Sequence, residues 1–77
     1  MSEESELFIH QLQSELTQVI VEIGKQYTDI TSQQQMADYL EVLIESLKYF
    51  HERGNYGRMA YDIYKAIDFL PSAFPIK

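Results

Sequence analysis

Apolar positions in this chain recur at helical spacing almost throughout. Phe8, Leu12, Leu16, Val19, Ile23 and Tyr27 follow one another at steps of three and four. At 100° per residue they share one arc of about 100°, which Ile9 and Ile20 widen slightly. The spacing predicts an amphipathic helix over about 5–26, which Gly24 could stop or let run on to Tyr27. Ser2 or Ser5 can cap its start, and Glu3, Glu4 and Glu6 suit the positive end of the helix dipole. A second stripe comprises Met36, Tyr39, Leu40, Leu43, Ile44, Leu47 and Phe50, and it predicts a helix over about 32–53. Ser32 with Gln35, or Thr31 with Gln34, matches a capping box at its start. Val42 and Tyr49 fall on the opposite side of this helix, a pattern expected of a central helix or one that meets a partner. Met59, Ile63, Ala66, Ile67 and Leu70 mark a third helix over about 56–70. Tyr61 and Phe69 point away from its stripe.

Glycine and proline punctuate the same plan. Gly54 is placed to end the second helix and Asn55 to cap the third. Pro71 is expected to end the third, leaving a short extended C-terminal tail in which Phe74 and Ile76 are apolar anchors. No segment alternates with period two. The expected fold is an all-α three-helix bundle, a single helical domain over 1–77.

Composition narrows the setting. The 77 residues hold six Lys plus Arg, twelve Asp plus Glu and no Cys, for a net charge of −6. Without cysteine there is no disulfide framework, thiolate nucleophile or Cys-based zinc site. Small secreted domains lean on such staples, so a reducing, cytoplasmic setting is expected. The N-terminal Met-Ser-Glu-Glu-Ser-Glu shows neither a basic region nor an apolar run behind it, so no secretory signal is expected there. The longest apolar run, Val19-Ile20-Val21, is far too short for a membrane span. Charge is unevenly placed: residues 1–47 sum to −8 and residues 48–77 to +2, and seven of the ten aromatics lie in the second part. That asymmetry suggests the two parts face each other, within one chain or between copies. Acidity of this degree argues against nucleic-acid binding, which relies on neutralising phosphates.

Residues 40 to 71 also resemble one tetratricopeptide helical hairpin. Gly54-Asn55-Tyr56 supplies the turn, Ala66 the later small position and Pro71 the terminating proline, while Leu43 and Phe50 sit where the first helix carries bulky residues. Met59 in place of a usual Ala, Leu47 in place of Gly or Ala, and Ile63 in place of an aromatic depart from the pattern. The likeness covers about 32 residues, with no second unit upstream, whereas such arrays normally need three or more units. It implies peptide or helix binding and no chemistry. A tight αα-hairpin wants the same turn glycine and exit proline on its own account.

Candidate chemistry is sparse. His10 lies one turn after Glu6, yet nothing nearby completes a set of metal ligands, so a solvated polar face is expected. His51 falls within the second stripe, where a buried or rim histidine bonded to a carbonyl or a tyrosine is expected rather than a catalytic base. Asp38, Glu41, Glu45 and Glu52 share an arc of about 60°, interrupted by Lys48, read as a charged outer face held by Glu45–Lys48 and Lys48–Glu52 pairs. The run from Lys48 to Arg58 interleaves cations with aromatics, a composition that can stack bases, but its modest charge sits in an acidic chain. No phosphate-binding glycine loop, nucleophile elbow, metal site or cofactor site is legible.

The expected function is therefore binding: an acidic interaction module acting on a protein partner or on a second copy, a dimer in the latter case, with no nucleic acid and no membrane. Val42, Tyr49, Tyr61, Phe69, Phe74 and Ile76 are the expected contact residues. One variant is an acidic inhibitor or immunity protein covering a basic site. An oligomeric all-α enzyme, with His51 and the second helix's carboxylates meeting at an interface, is the alternative from another class.

Overall fold

The computed structural model describes residues 3–77, with side chains from Glu6 onward. Three helices follow one another: α1 (Glu3–Gln26), α2 (Ile30–Glu52) and α3 (Tyr56–Ala73). Ser2 and the side chains of Glu3, Glu4 and Ser5 lie outside the described residues, so the capping and dipole roles expected of them do too. Among the described residues there is no strand, and no helix is long and apolar enough to cross a membrane.

Each boundary has a local cause. Helix α1 passes through Gly24, and the Tyr27 amide still donates to the Ile23 carbonyl. Helix α2 starts two residues before the expected 32, because Asp29 is extended and its carboxylate accepts from the Ser32 amide at 2.9 Å. Asp29 thus takes the role expected of Ser32 or Thr31, both of which lie inside the first turn. The turn to α3 needs a left-handed residue, and Gly54 supplies it with φ +66°. Asn55 then caps α3 by accepting from the Arg58 amide.

Pro71 does not end α3. It removes only its own amide from the ladder, and the Phe74 amide donates to the Leu70 carbonyl at 2.8 Å. Burial of Leu70 and Phe74, one turn apart, holds that last turn in place. The expected extended tail is thus shortened to the residues after Ala73. It folds back on its own chain, with the Tyr27 hydroxyl donating to the Pro75 carbonyl and the Lys77 amide to Gln26 Oε1, both at 2.9 Å.

One core joins all three helices: Ile9, Leu12, Leu16 and Ile23 from α1, Met36 and Leu43 from α2, and Met59, Ile63, Ala66 and Leu70 from α3, closed by Phe74. The central element is α3, not the twice-apolar α2, since α3 makes the close backbone approaches to both other helices. At Ala60 and Ala66 it presents only a methyl group. The apolar arc of α1 is rotated from the expected one: Ile9 is buried and Phe8, at the arc's edge on the first turns, stands exposed. Ile44, at the corresponding edge of α2, is exposed as well.

Candidate functional site

Helices α2 and α3 run antiparallel in a single register. Tyr39 stacks on Phe69 with ring centroids 5.0 Å apart, Ser46 Oγ donates to Asp62 Oδ2 at 2.7 Å, and the Arg58 guanidinium lies 5.2 Å from the Phe50 ring. Every turn along α2 is matched by a turn back along α3. Asp62 is anchored twice, because Arg58 Nε donates to its other oxygen at 3.3 Å.

Above this seam the two helices form a shoulder rich in exposed aromatic and aliphatic surface. Val42, Tyr39, Ser46, Tyr61, Asp62 and Lys65 line a groove of about 360 Å³. Val42 and Ser46 also border a shallower depression with Glu45, Lys48, Tyr49 and Glu52. Val42 is 70% exposed, and Tyr49 and Tyr61 are each 51% exposed. Cations rest on these rings: Arg53 lies 3.6 Å above Tyr49 and donates to its carbonyl, while Arg58 and Lys65 flank Tyr61 at 5.4 and 5.6 Å. A guanidinium over a ring covers apolar surface while staying hydrated at its edge. Burial under Phe69, with a smaller contribution from the Asp62 charge, pushes the Tyr39 phenol above its ordinary value. It therefore stays a neutral hydrogen-bonding group in the groove well into the alkaline range.

Of the six contact residues expected from sequence, Val42, Tyr49 and Tyr61 come together on this shoulder, and Phe69 borders it through its stack with Tyr39. Ile76 is exposed elsewhere, next to the end of α1. Phe74 is no surface anchor: it is 7% exposed, in edge contact with Tyr27 at 5.5 Å. The continued last turn of α3 carries it inward.

The acidic face of α2 is held differently from the expectation. Among the described residues the ion pairs are Lys25–Glu22 and Arg58–Asp62. Neither Glu45–Lys48 nor Lys48–Glu52 forms, consistent with the side-chain entropy that exposed pairs must overcome. The cation–aromatic layer on the shoulder was only partly visible in the run from Lys48 to Arg58, since Tyr61 and Lys65 join it through the folded register.

A second cavity, about 300 Å³, lies where the start of α1 meets the α2–α3 turn. Glu6, His10, His51, Tyr56 and Met59 line it. His51 is exposed rather than buried or bonded to a tyrosine hydroxyl, and its ring stands edge-on to Tyr56 at 6.2 Å. It faces α1, while Glu45 and Glu52 border the depression on the other side of α2. Among the described residues no three His, Asp or Glu side chains gather to hold a metal ion.

Compared with known proteins, the chain matches no family model, no curated protein and no solved structure, so the tetratricopeptide likeness rests on the residues quoted for it.

Proposed function

We propose that this chain is a small, acidic, cytoplasmic interaction module that docks a protein on the α2–α3 shoulder. One observation carries the proposal. Val42, Tyr49 and Tyr61 are half or more exposed, with Val42 lining both the groove that holds Tyr61 and the depression that holds Tyr49, above a core that is already closed beneath them. Aromatic side chains dominate binding energy when they fill a partner's pockets, and exposed apolar clusters bordered by charge mark interaction sites. The acidic row Asp38, Glu41, Glu45 and Glu52 beside the strip supports the inhibitor variant, since such a row steers a basic target.

A photo-cross-linking residue at position 42, compared with one at Ser14 on the outer face of α1, tests the shoulder in cells. Protein adducts from position 42 and none from position 14 are expected. Equal adducts from both, or none from position 42, would remove the shoulder as the docking surface.

A further inference from the structure

We propose that the partner on the shoulder is a second copy of this chain, related by a two-fold axis running alongside α2. The inference rests on the interaction reading above and names its occupant.

The supporting feature is the order of side chains around α2. At 100° per residue, Glu41, Glu52, Glu45 and Asp38 are followed by Tyr49 and Val42, and then by Ser46 and Tyr39, which face α3. Beyond these, α3 presents Arg58, Lys65 and Tyr61, and Arg53 stands at the strip's end. The apolar strip thus has an acidic row, interrupted by the exposed Lys48, on one side and a basic row on the other. Among the described residues, Glu41, Glu45 and Glu52 have no cationic partner, and Arg53 and Lys65 have no carboxylate partner. An apolar centre with a charged rim is the anatomy of a protein interface.

Symmetry then selects the arrangement. In a closed dimer the same patch meets itself. A two-fold axis crossing α2 would lay acids on acids. An axis running along α2 lays each acidic row on the other copy's basic row and leaves heights along the helix unchanged. The α2–α3 register supplies those heights: Lys65 lies level with Val42 and Leu43, and Arg58 level with Phe50. Glu41 and Glu45 bracket the first level, and Glu52 lies within one turn of the second. At the Lys65 level charges of opposite sign therefore match in height as well as in side, whereas Arg58 at the second level is already paired with Asp62. The required area is modest: about 800 Å² per partner makes a stable interface, near a seventh of the 5517 Å² surface.

Charge exchange tests this. Wild-type chain at high micromolar concentration should scatter light as a particle of twice 9.1 kDa. Lys65→Glu alone and Glu45→Lys alone should each weaken the dimer by about tenfold or more, since each sets like charges opposite one another. An equimolar mixture of the two variants should recover the dimer as a heterodimer, identified by native mass spectrometry, because each reversed charge then meets its opposite. Circular dichroism of both variants should match wild type, as both side chains are exposed. A dimer indifferent to either change, or a mixture that stays monomeric, would overturn the two-fold arrangement. A monomeric wild type would overturn the second copy altogether. If position 42 still cross-linked to a different protein, the interaction module would stand; if it cross-linked to nothing, both proposals would fall.

Discussion

The two sides of α3 are built from different materials. Toward α1, Met59, Ile63 and Leu70 meet Ile9, Leu12, Leu16 and Ile23 in a seam of hydrocarbon, with Ile23, Ile63 and Leu70 wholly enclosed. Toward α2, buried Leu43 and Met36 are joined by a serine–aspartate hydrogen bond, a tyrosine–phenylalanine stack and an arginine resting against a ring. The first seam holds the fold by excluding water, which is non-directional and strong per unit area. The second is directional and half open, so it fixes geometry and leaves side chains available outside. Stability and recognition are thus divided between the two flanks of one helix.

Substitutions can break or sharpen that contrast. The largest effect is expected at Ile63→Ala, where about 3–4 kcal/mol should be lost to transfer and cavity terms. Cores of this size supply roughly 3–5 kcal/mol, so most of the helical circular dichroism should disappear at 25 °C. Ser46→Ala, on the other flank, should cost only about 1 kcal/mol, because Asp62 keeps its arginine; urea denaturation measures the difference. A loss as large as that of Ile63→Ala would erase the distinction. Val42→Ser should change the unfolding free energy of the isolated chain, measured in urea, by less than about 0.5 kcal/mol yet weaken association measured by light scattering.

The smallest effect concerns acid. The Ser32 backbone amide, aided by the Ser32 side chain, holds the Asp29 carboxyl below its ordinary value in the fold. Its stabilising contribution is present above the unfolded carboxyl's pKa and fades as pH falls through the lower native one, because the unfolded chain takes up the proton first. Asp29→Asn keeps a capping side chain without that titration, so its stability should fall less steeply than wild type on the acid side.

Much of the fold was legible because long amphipathic helices write their period directly into the chain. The caps at Asn55 and Gly54 were legible for the same local reason. What the period left open was tertiary. An arc read from sequence has soft edges, so Phe8 and Ile9 exchanged places on α1. Two apolar sides on α2 pointed to a central helix or to one that meets a partner; the central place went to α3, whose small side chains let the other two helices close on it. Phe74 read as an anchor for a partner because Pro71 promised a break; the energy of burying Leu70 and Phe74 kept the turn helical. At the shoulder, Val42, Tyr49 and Tyr61 were readable one by one as residues off the main stripes. Their meeting under a layer of cations depended on the register between two helices, which no single-helix periodicity contains.

That register has a gauge of its own. Asp62 reaches across to Ser46 at one height only. Sliding α3 by one turn would set its carboxylate against Leu43 or Phe50 and forfeit the bond at a cost of about 1–3 kcal/mol. A hydrocarbon seam tolerates such slippage far better, so this one polar link gives the hairpin a preferred alignment, and with it the spacing of every side chain on its outer surface.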